Sequence, residues 1–254
     1  KTIVAKTITE ELAGNDKKVL FLCYNRMLAK YLFNSMKNKE HQLEIRRFHS
    51  FAKHIIENHD PDWWGNNCKK NEEEFWNIDI PLNLDEIPVK QENKYDAIII
   101  DEGQDFKEFW FEVLEKYLNV NARYYIFLDE MQNIFSHYTK IPNSKSFFQF
   151  HLKQNCRNTK NIVQYLVQIT NTDIECFKET PDGVQVTTRK YVNQIEQQTL
   201  ILNDIKNLIN NQGISPEQMV ILLNTNKRNS CLNDVKKSGN TLGIIKRNYV
   251  VLNG

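Results

Sequence analysis

Apolar positions along this chain fall into two alternating patterns. Short continuous runs read as strands: Val19-Leu-Phe-Leu-Cys-Tyr24 and Ala97–Ile100 as buried ones, and Arg123-Tyr-Tyr-Ile-Phe-Leu128 as a further one. Between them, apolar residues recur every three or four positions, as on one face of a helix. Ile3, Val4, Thr7, Ile8 and Leu12 form one such face, ended by Gly14-Asn15-Asp16. Met27, Leu28, Tyr31 and Leu32 form an inward face behind Asn25. Phe106, Phe109, Trp110, Val113, Leu114, Tyr117 and Leu118 form a third, with Asp105 and Glu108 at capping-box spacing. Strands alternating with helices predict an α/β fold with a parallel sheet.

Two stretches interrupt the alternation. Residues 58–94 carry Asp60-Pro-Asp-Trp-Trp-Gly, an acidic run at Glu72–Glu74, and prolines at 81 and 88, which predicts an irregular insertion with short helices. Its Trp63, Trp64 and Trp76 can stack on bases, but such aromatics more often close a satellite cluster under a loop. Ser144–Phe150 reads as a polar linker, dividing residues 1–145 from residues 146–254. Beyond it, Ile162, Val163, Leu166, Val167 and Ile169 predict a helix, and Pro181-Asp-Gly183 a turn. A longer helix spans Ile195 to Ile209 and ends at Gly213. Ser215-Pro216-Glu-Gln218 offers capping signals before a strand at Met219–Leu223. The second half is therefore expected to be another α/β domain.

Composition narrows the class without choosing a partner. The 254 residues suffice for one large core or two moderate ones, and 41% hydrophobic with 26% charged residues is ordinary for a globular protein. Thirty-three Lys and Arg against thirty-two Asp and Glu give a net charge of +1, which neither favours nor excludes a nucleic-acid partner. The five cysteines are scattered, a pattern that suits reduced thiols better than disulfides or zinc. No apolar run reaches membrane-spanning length and no signal-peptide pattern opens the chain, so a cytoplasmic location is expected. The chain begins at Lys1 without Met, which reads as an internal fragment.

The candidate chemistry starts at Tyr95-Asp-Ala-Ile-Ile-Ile-Asp101-Glu102-Gly103-Gln104-Asp105-Phe106. Two adjacent carboxylates stand where a doubly buried strand ends. One carboxylate there can hold magnesium and the next can orient and deprotonate an attacking water. Further polar strings follow other strands: Asn25-Arg26 after the first, Asp129-Glu-Met-Gln132-Asn-Ile-Phe135 after the third. Open parallel sheets bind ligands at these carboxyl ends.

These strings, in this order, resemble the superfamily 1 helicases of the UvrD/Rep type. Asp101-Glu102-Gly103-Gln104-Asp105 is similar to their motif II, usually Asp-Glu-Ala-Gln-Asp; residues 129–135 resemble motif III; and Asn155-Cys156-Arg157-Asn158-Thr159 resembles motif IV. Lys1-Thr2 at the head of a helix resembles the end of a Walker A loop, whose glycines would lie upstream. Leu128 stands where motif III usually has Gly, and Cys156 where motif IV usually has an aromatic. The variant strings are closest to compact bacterial helicases often joined to a nuclease-related domain.

The resemblance implies two RecA-like P-loop NTPase domains with parallel sheets, the first with a short insertion, and ATP with Mg2+ between them. Lys1 would hold phosphate, Thr2 and Asp101 magnesium, and Glu102 would be the base. Gln104, Asp129 and Gln132 would contact or sense the nucleotide, and Arg157 would be the arginine finger. Single-stranded nucleic acid, DNA in preference to RNA, would meet Asn25, Arg26, His49, Phe135 and His137. From the residues alone, Asn25, Arg26 and Lys30 are equally a polar loop with a solvated helix face, and His49 is equally a core hydrogen-bonder. The implied activity is an ATP-dependent helicase or translocase with no membrane partner; the alternative is a nucleotide-dependent switch that binds nucleic acid without unwinding it. Motifs V and VI are not present in the chain.

Overall fold

The computed structural model describes residues 1–36, 42–68, 73–129, 147–152, 154–225 and 229–233. The chain divides into two compact units, Lys1–Leu152 and Lys153–Gly254.

The first unit is built on a parallel sheet of four strands in the order β2-β1-β3-β4: β1 Val19–Cys23, β2 Leu43–Arg47, β3 Tyr95–Asp101 and β4 Leu118–Ile126. β1 is buried along its whole length and β3 at all but Asp96, as expected for central strands covered on both faces. Their register sets Cys23 beside both Arg47 and Asp101, so three polar positions meet at the carboxyl end of the sheet. β2 and the helix after it were not legible as such, because Glu44, Arg46 and Arg47 break the apolar run of an edge strand.

One face of the sheet is covered by α1 (Thr2–Gly14) and α2 (Arg26–Ser35). The core there is small and mostly aliphatic: Ala5, Leu12, Ala13, Leu32 and Met36 against Val19, Phe21, Ala97 and Ile99. The inward faces differ from the expected ones. Ile3 and Val4 of α1 are exposed, and the buried stripe runs through Ala5, Thr9, Leu12 and Ala13. In α2 only Leu32 is fully buried, while Met27 and Tyr31 point outward at 60% and 63% exposure. Small Ala5 and Ala13 let α1 lie close to the sheet, and that approach, not apolar periodicity, selects the buried stripe.

The other face carries α3 (Phe48–His59), α4 (Pro61–Asn67), a π-helical turn at Phe75–Asp79, α5 (Ile80–Glu86) and α6 (Glu108–Glu115). Its core is aromatic. Phe48 stacks on Trp110 at 4.2 Å, and Phe51, Phe75, Phe106, Phe111 and Tyr117 complete it. The stretch 58–94 is more helical than expected, and its aromatics do not form a satellite. Trp64 and Phe75 belong to this main core, with Trp63 and Trp76 packed on its edge. α6 is shorter than its apolar pattern: its N-cap is Lys107 rather than Asp105, Phe106 precedes it, and Leu118 already opens β4.

The described residues of the second unit form two helices, α7 (Lys160–Thr170) and α8 (Gln194–Asn210), and a two-residue parallel pair, β5 (Gln154–Asn155) with β6 (Glu175–Cys176). Residues 219–223 form no strand, and the Ser215–Gln218 capping pair closes a single 3-10 turn. The Met219 N–H closes that turn on the Pro216 carbonyl at 3.2 Å. Among the described residues of this unit only Val163, Thr180 and Ile205 are buried.

No described helix is long and apolar enough to cross a membrane.

Candidate functional site

At the carboxyl end of β3 the two carboxylates are treated oppositely. Asp101 is the last residue of the strand and is 1% exposed, yet neither of its carboxylate oxygens makes a hydrogen bond of ordinary geometry. Burial pushes its carboxyl above the usual range; the Thr2 hydroxyl beside it pulls the other way, and the charge of Glu102 adds to the rise. Thr2 comes close enough because α1 packs against β3 and starts at Thr2, with the Lys1 carbonyl accepting the Ala5 N–H at 2.9 Å. A buried carboxylate left this way awaits a cation or a proton.

Glu102 leaves the strand in a left-handed backbone conformation, φ 56° and ψ 46°, uncommon for a residue with a side chain. The turn that follows, Gly103–Asp105, is bolted to the end of β4. Gly103 N–H donates to the Phe127 carbonyl at 2.8 Å, and a Cβ at this glycine would lie 2.9 Å from Ile126 Cγ2. Gln104 is buried and bridges: its Nε2 donates to Glu102 Oε2 at 2.7 Å, and its Oε1 accepts the Asp129 N–H at 2.9 Å. Asp129 in turn pairs its carboxylate with Lys1 Nζ at 3.0 Å. Asp105, half-buried beside Glu102, is also pushed up, first by burial and then by that charge.

Six of the residues singled out from the sequence, Lys1, Thr2, Asp101, Glu102, Gln104 and Asp129, thus gather at one end of one sheet. Among the described residues no group of three or more His, Cys, Asp or Glu forms a metal-ligand set. Magnesium needs none: it keeps several waters and takes one or two carboxylates besides phosphate oxygens. The orphaned Asp101 carboxylate and the adjacent Thr2 hydroxyl fit it.

Others are placed differently. Asn25 spends its side-chain oxygen on the N-terminus of α2, accepting from Met27 N at 2.8 Å and Leu28 N at 3.3 Å. Arg26 follows it, exposed. His49 sits among Phe48, Trp76 and Trp110, its Nε2 donating to the Trp76 carbonyl at 3.0 Å. Burial lowers its pKa to about 4, with the Arg47 charge adding to the fall, so the ring is neutral and tied to the core. Gln132, Phe135 and His137 lie outside the described residues.

Arg157, exposed, stands on a turn held by Asn155, whose Oδ1 accepts the N–H groups of Arg157 and Asn158, each at 3.1 Å. The next loop caps the helix behind it: the Pro181 and Asp182 carbonyls accept the Lys160 and Asn161 N–H groups at 3.0 and 3.1 Å. Gly183 at φ +71° allows this approach, since a Cβ there would fall 2.5 Å from Thr159.

Sequence reasoning assigned nothing to Arg47 or Asn155. Arg47 ends β2 beside Cys23, and its charge reaches Cys23, Tyr24 and His49. Only the sheet register reveals that placement. The signal for Asn155 was present: an Asn two and three residues ahead of N–H donors is an Asx turn. Burial and then the Asp101 charge push the Cys23 thiol up to about 12, away from the thiolate form.

The chain matches no protein-family model and no curated protein.

Proposed function

We infer that this chain is the ATPase core of a nucleic-acid helicase or translocase of the superfamily 1 type, with two RecA-like domains. The observation that carries the reading is Asp101: a carboxylate buried at the end of a central parallel strand, unsatisfied, with Thr2 and Lys1 brought to it by the helix that packs on that strand. Of the fold's own donors only the Thr2 hydroxyl and the Glu102 N–H approach that charge, neither at ordinary hydrogen-bond geometry, and a nucleotide-bound divalent cation is a ligand that would neutralise it.

In this reading Asp101 and Thr2 would hold Mg2+, which would supply charge neutralisation at the phosphates. Lys1 leaves Asp129 for the phosphate oxygens. Glu102 takes the proton of the attacking water, and Arg157 stabilises the transition-state charge. Turnover drives movement along single-stranded nucleic acid, DNA in preference to RNA. The near-neutral net charge of +1 favours a second reading, a nucleotide-dependent switch that binds nucleic acid without unwinding it.

The test is Glu102→Gln in the full-length protein, which preserves shape and removes the proton acceptor. Turnover should fall by about 10²–10⁴-fold while ATP binding is retained. Turnover within about threefold of the parent would remove Glu102 from the chemistry. A strand-displacement assay run beside the ATPase assay separates the two readings, since hydrolysis without displacement identifies the switch.

A further inference from the structure

We propose that Gln104 is a positioning residue that holds the Glu102 carboxylate in place by bracing it against the backbone of Asp129, three residues past the end of β4. This deepens the proposed function and rests on Glu102 being the base. Glu102 needs bracing because its backbone is in the left-handed region, where a side chain is not held by the regular direction of a strand or helix. The turn itself is fixed to β4 by the Gly103 N–H to Phe127 carbonyl bond. Gln104 carries that fixation to the carboxylate.

The orientation of the Gln104 amide follows from its partners. A backbone N–H only donates, so the atom facing Asp129 N at 2.9 Å is the amide oxygen. The amide nitrogen is therefore turned to Glu102 Oε2, at 2.7 Å. Gln104 is 8% exposed, so water does not readily replace either bond. A residue that only filled space here would not need a donor and an acceptor aimed in opposite directions. Asp129, whose N–H anchors this brace, pairs its own carboxylate with Lys1.

The experiment is a double-mutant cycle in the full-length protein, read as steady-state ATP turnover and KM. Gln104→Glu is nearly isosteric, still accepts the Asp129 N–H, and sets a carboxylate against Glu102. Gln104→Met keeps the volume without either bond. Each should lower kcat about 10- to 100-fold, as small misplacements of a reacting group do, and leave KM for ATP within about threefold. Added to Glu102→Gln, neither should lower turnover further, because the group they act through is already gone. Unchanged kcat in both single variants, or losses that multiply in the double variants, overturns the proposal; multiplying losses would mark Gln104 as a general structural residue. If Glu102→Gln itself leaves turnover intact, the base assignment fails and the positioning role falls with it. Thermal unfolding of each variant distinguishes a misfolded chain from a slow one, and Gln104→Met serves if Gln104→Glu does not fold.

Discussion

The turn after β3 and the turn after β5 use one device on unequal foundations. In each, a side-chain amide oxygen accepts backbone N–H groups: Gln104 from Asp129, and Asn155 from Arg157 and Asn158. The first turn ends a fully buried strand end and is pinned to a neighbouring strand, above a core of stacked aromatics. The second ends a two-residue strand in a unit where, among the described residues, only Val163, Thr180 and Ile205 are buried. Geometry at residues 101–104 is set by many contacts that must break together. Geometry at residues 155–159 is set by a handful of hydrogen bonds, which places it toward the low-stability end of local opening.

The largest expected effect tests the foundations directly. Trp110 is fully buried, stacked on Phe48 and donating its indole N–H to the Asn77 carbonyl at 3.3 Å. Trp110→Ala should cost about 3–5 kcal/mol. Val163→Ala in the second unit should cost roughly 1.5 kcal/mol, the loss of two buried methyl groups. Urea unfolding of both variants would measure the contrast, and equal costs would erase it.

The aromatic core also carries a proton switch. His49 has its folded pKa lowered to about 4 from an ordinary 6.5. Its contribution to stability is therefore complete above pH 6.5 and is lost as pH falls toward 4, because the unfolded chain binds the proton first. The full loss is on the order of 3 kcal/mol. His49→Gln, whose amide can still donate to the Trp76 carbonyl, should flatten stability against pH across that window. An unaltered slope would assign the acid sensitivity to other groups.

Pinning of the first turn is tested at Gly103. An Ala there would set its methyl 2.9 Å from the branched Ile126 Cγ2 and 3.3 Å from the Phe127 carbonyl oxygen. Gly103→Ala should cost about 1–3 kcal/mol, as overpacking does. A melting temperature equal to that of the parent would mean that the end of β4 yields freely.

The smallest effect belongs to the second turn. Asn155→Ala removes the acceptor that shapes the backbone at Arg157, worth about 1 kcal/mol or close to a fivefold loss of turnover. Asn155→Asp keeps an acceptor and should restore most of it, with Arg157→Ala as the reference for complete loss of the guanidinium. Failure of Asp to rescue would mean that the Asn155 amide nitrogen, and not its oxygen, matters.

The legible parts of this protein were those whose signal is local. Val19–Cys23 and Ala97–Ile100 read as strands because they are continuous apolar runs, and α7 and α8 as helices because apolar residues recur there at helical spacing. Asp101 and Glu102 were legible as a pair because charge rarely follows four buried residues without use. Less legible were α1 and α2, whose apolar residues do not all face the sheet: Ile3, Val4, Met27 and Tyr31 stay outside because Ala5, Ala13 and Leu32 fill the narrow space against it. β2 was hidden by its charges, one of which, Glu44, accepts the Tyr95 hydroxyl.

By itself the sequence determined the parallel α/β character of the first unit and which residue types stand at the ends of its strands. Periodicity and residue chemistry are properties of neighbours along the chain. Tertiary structure alone decided that Asp101 is left without a hydrogen bond of ordinary geometry while Glu102 is held by one, and that Asn25 and His49 serve a helix cap and an aromatic core. These outcomes depend on which strands lie side by side and how closely α1 and the Gly103 turn approach them. Register and approach distance arise from packing between segments far apart in the chain, and no local pattern encodes them.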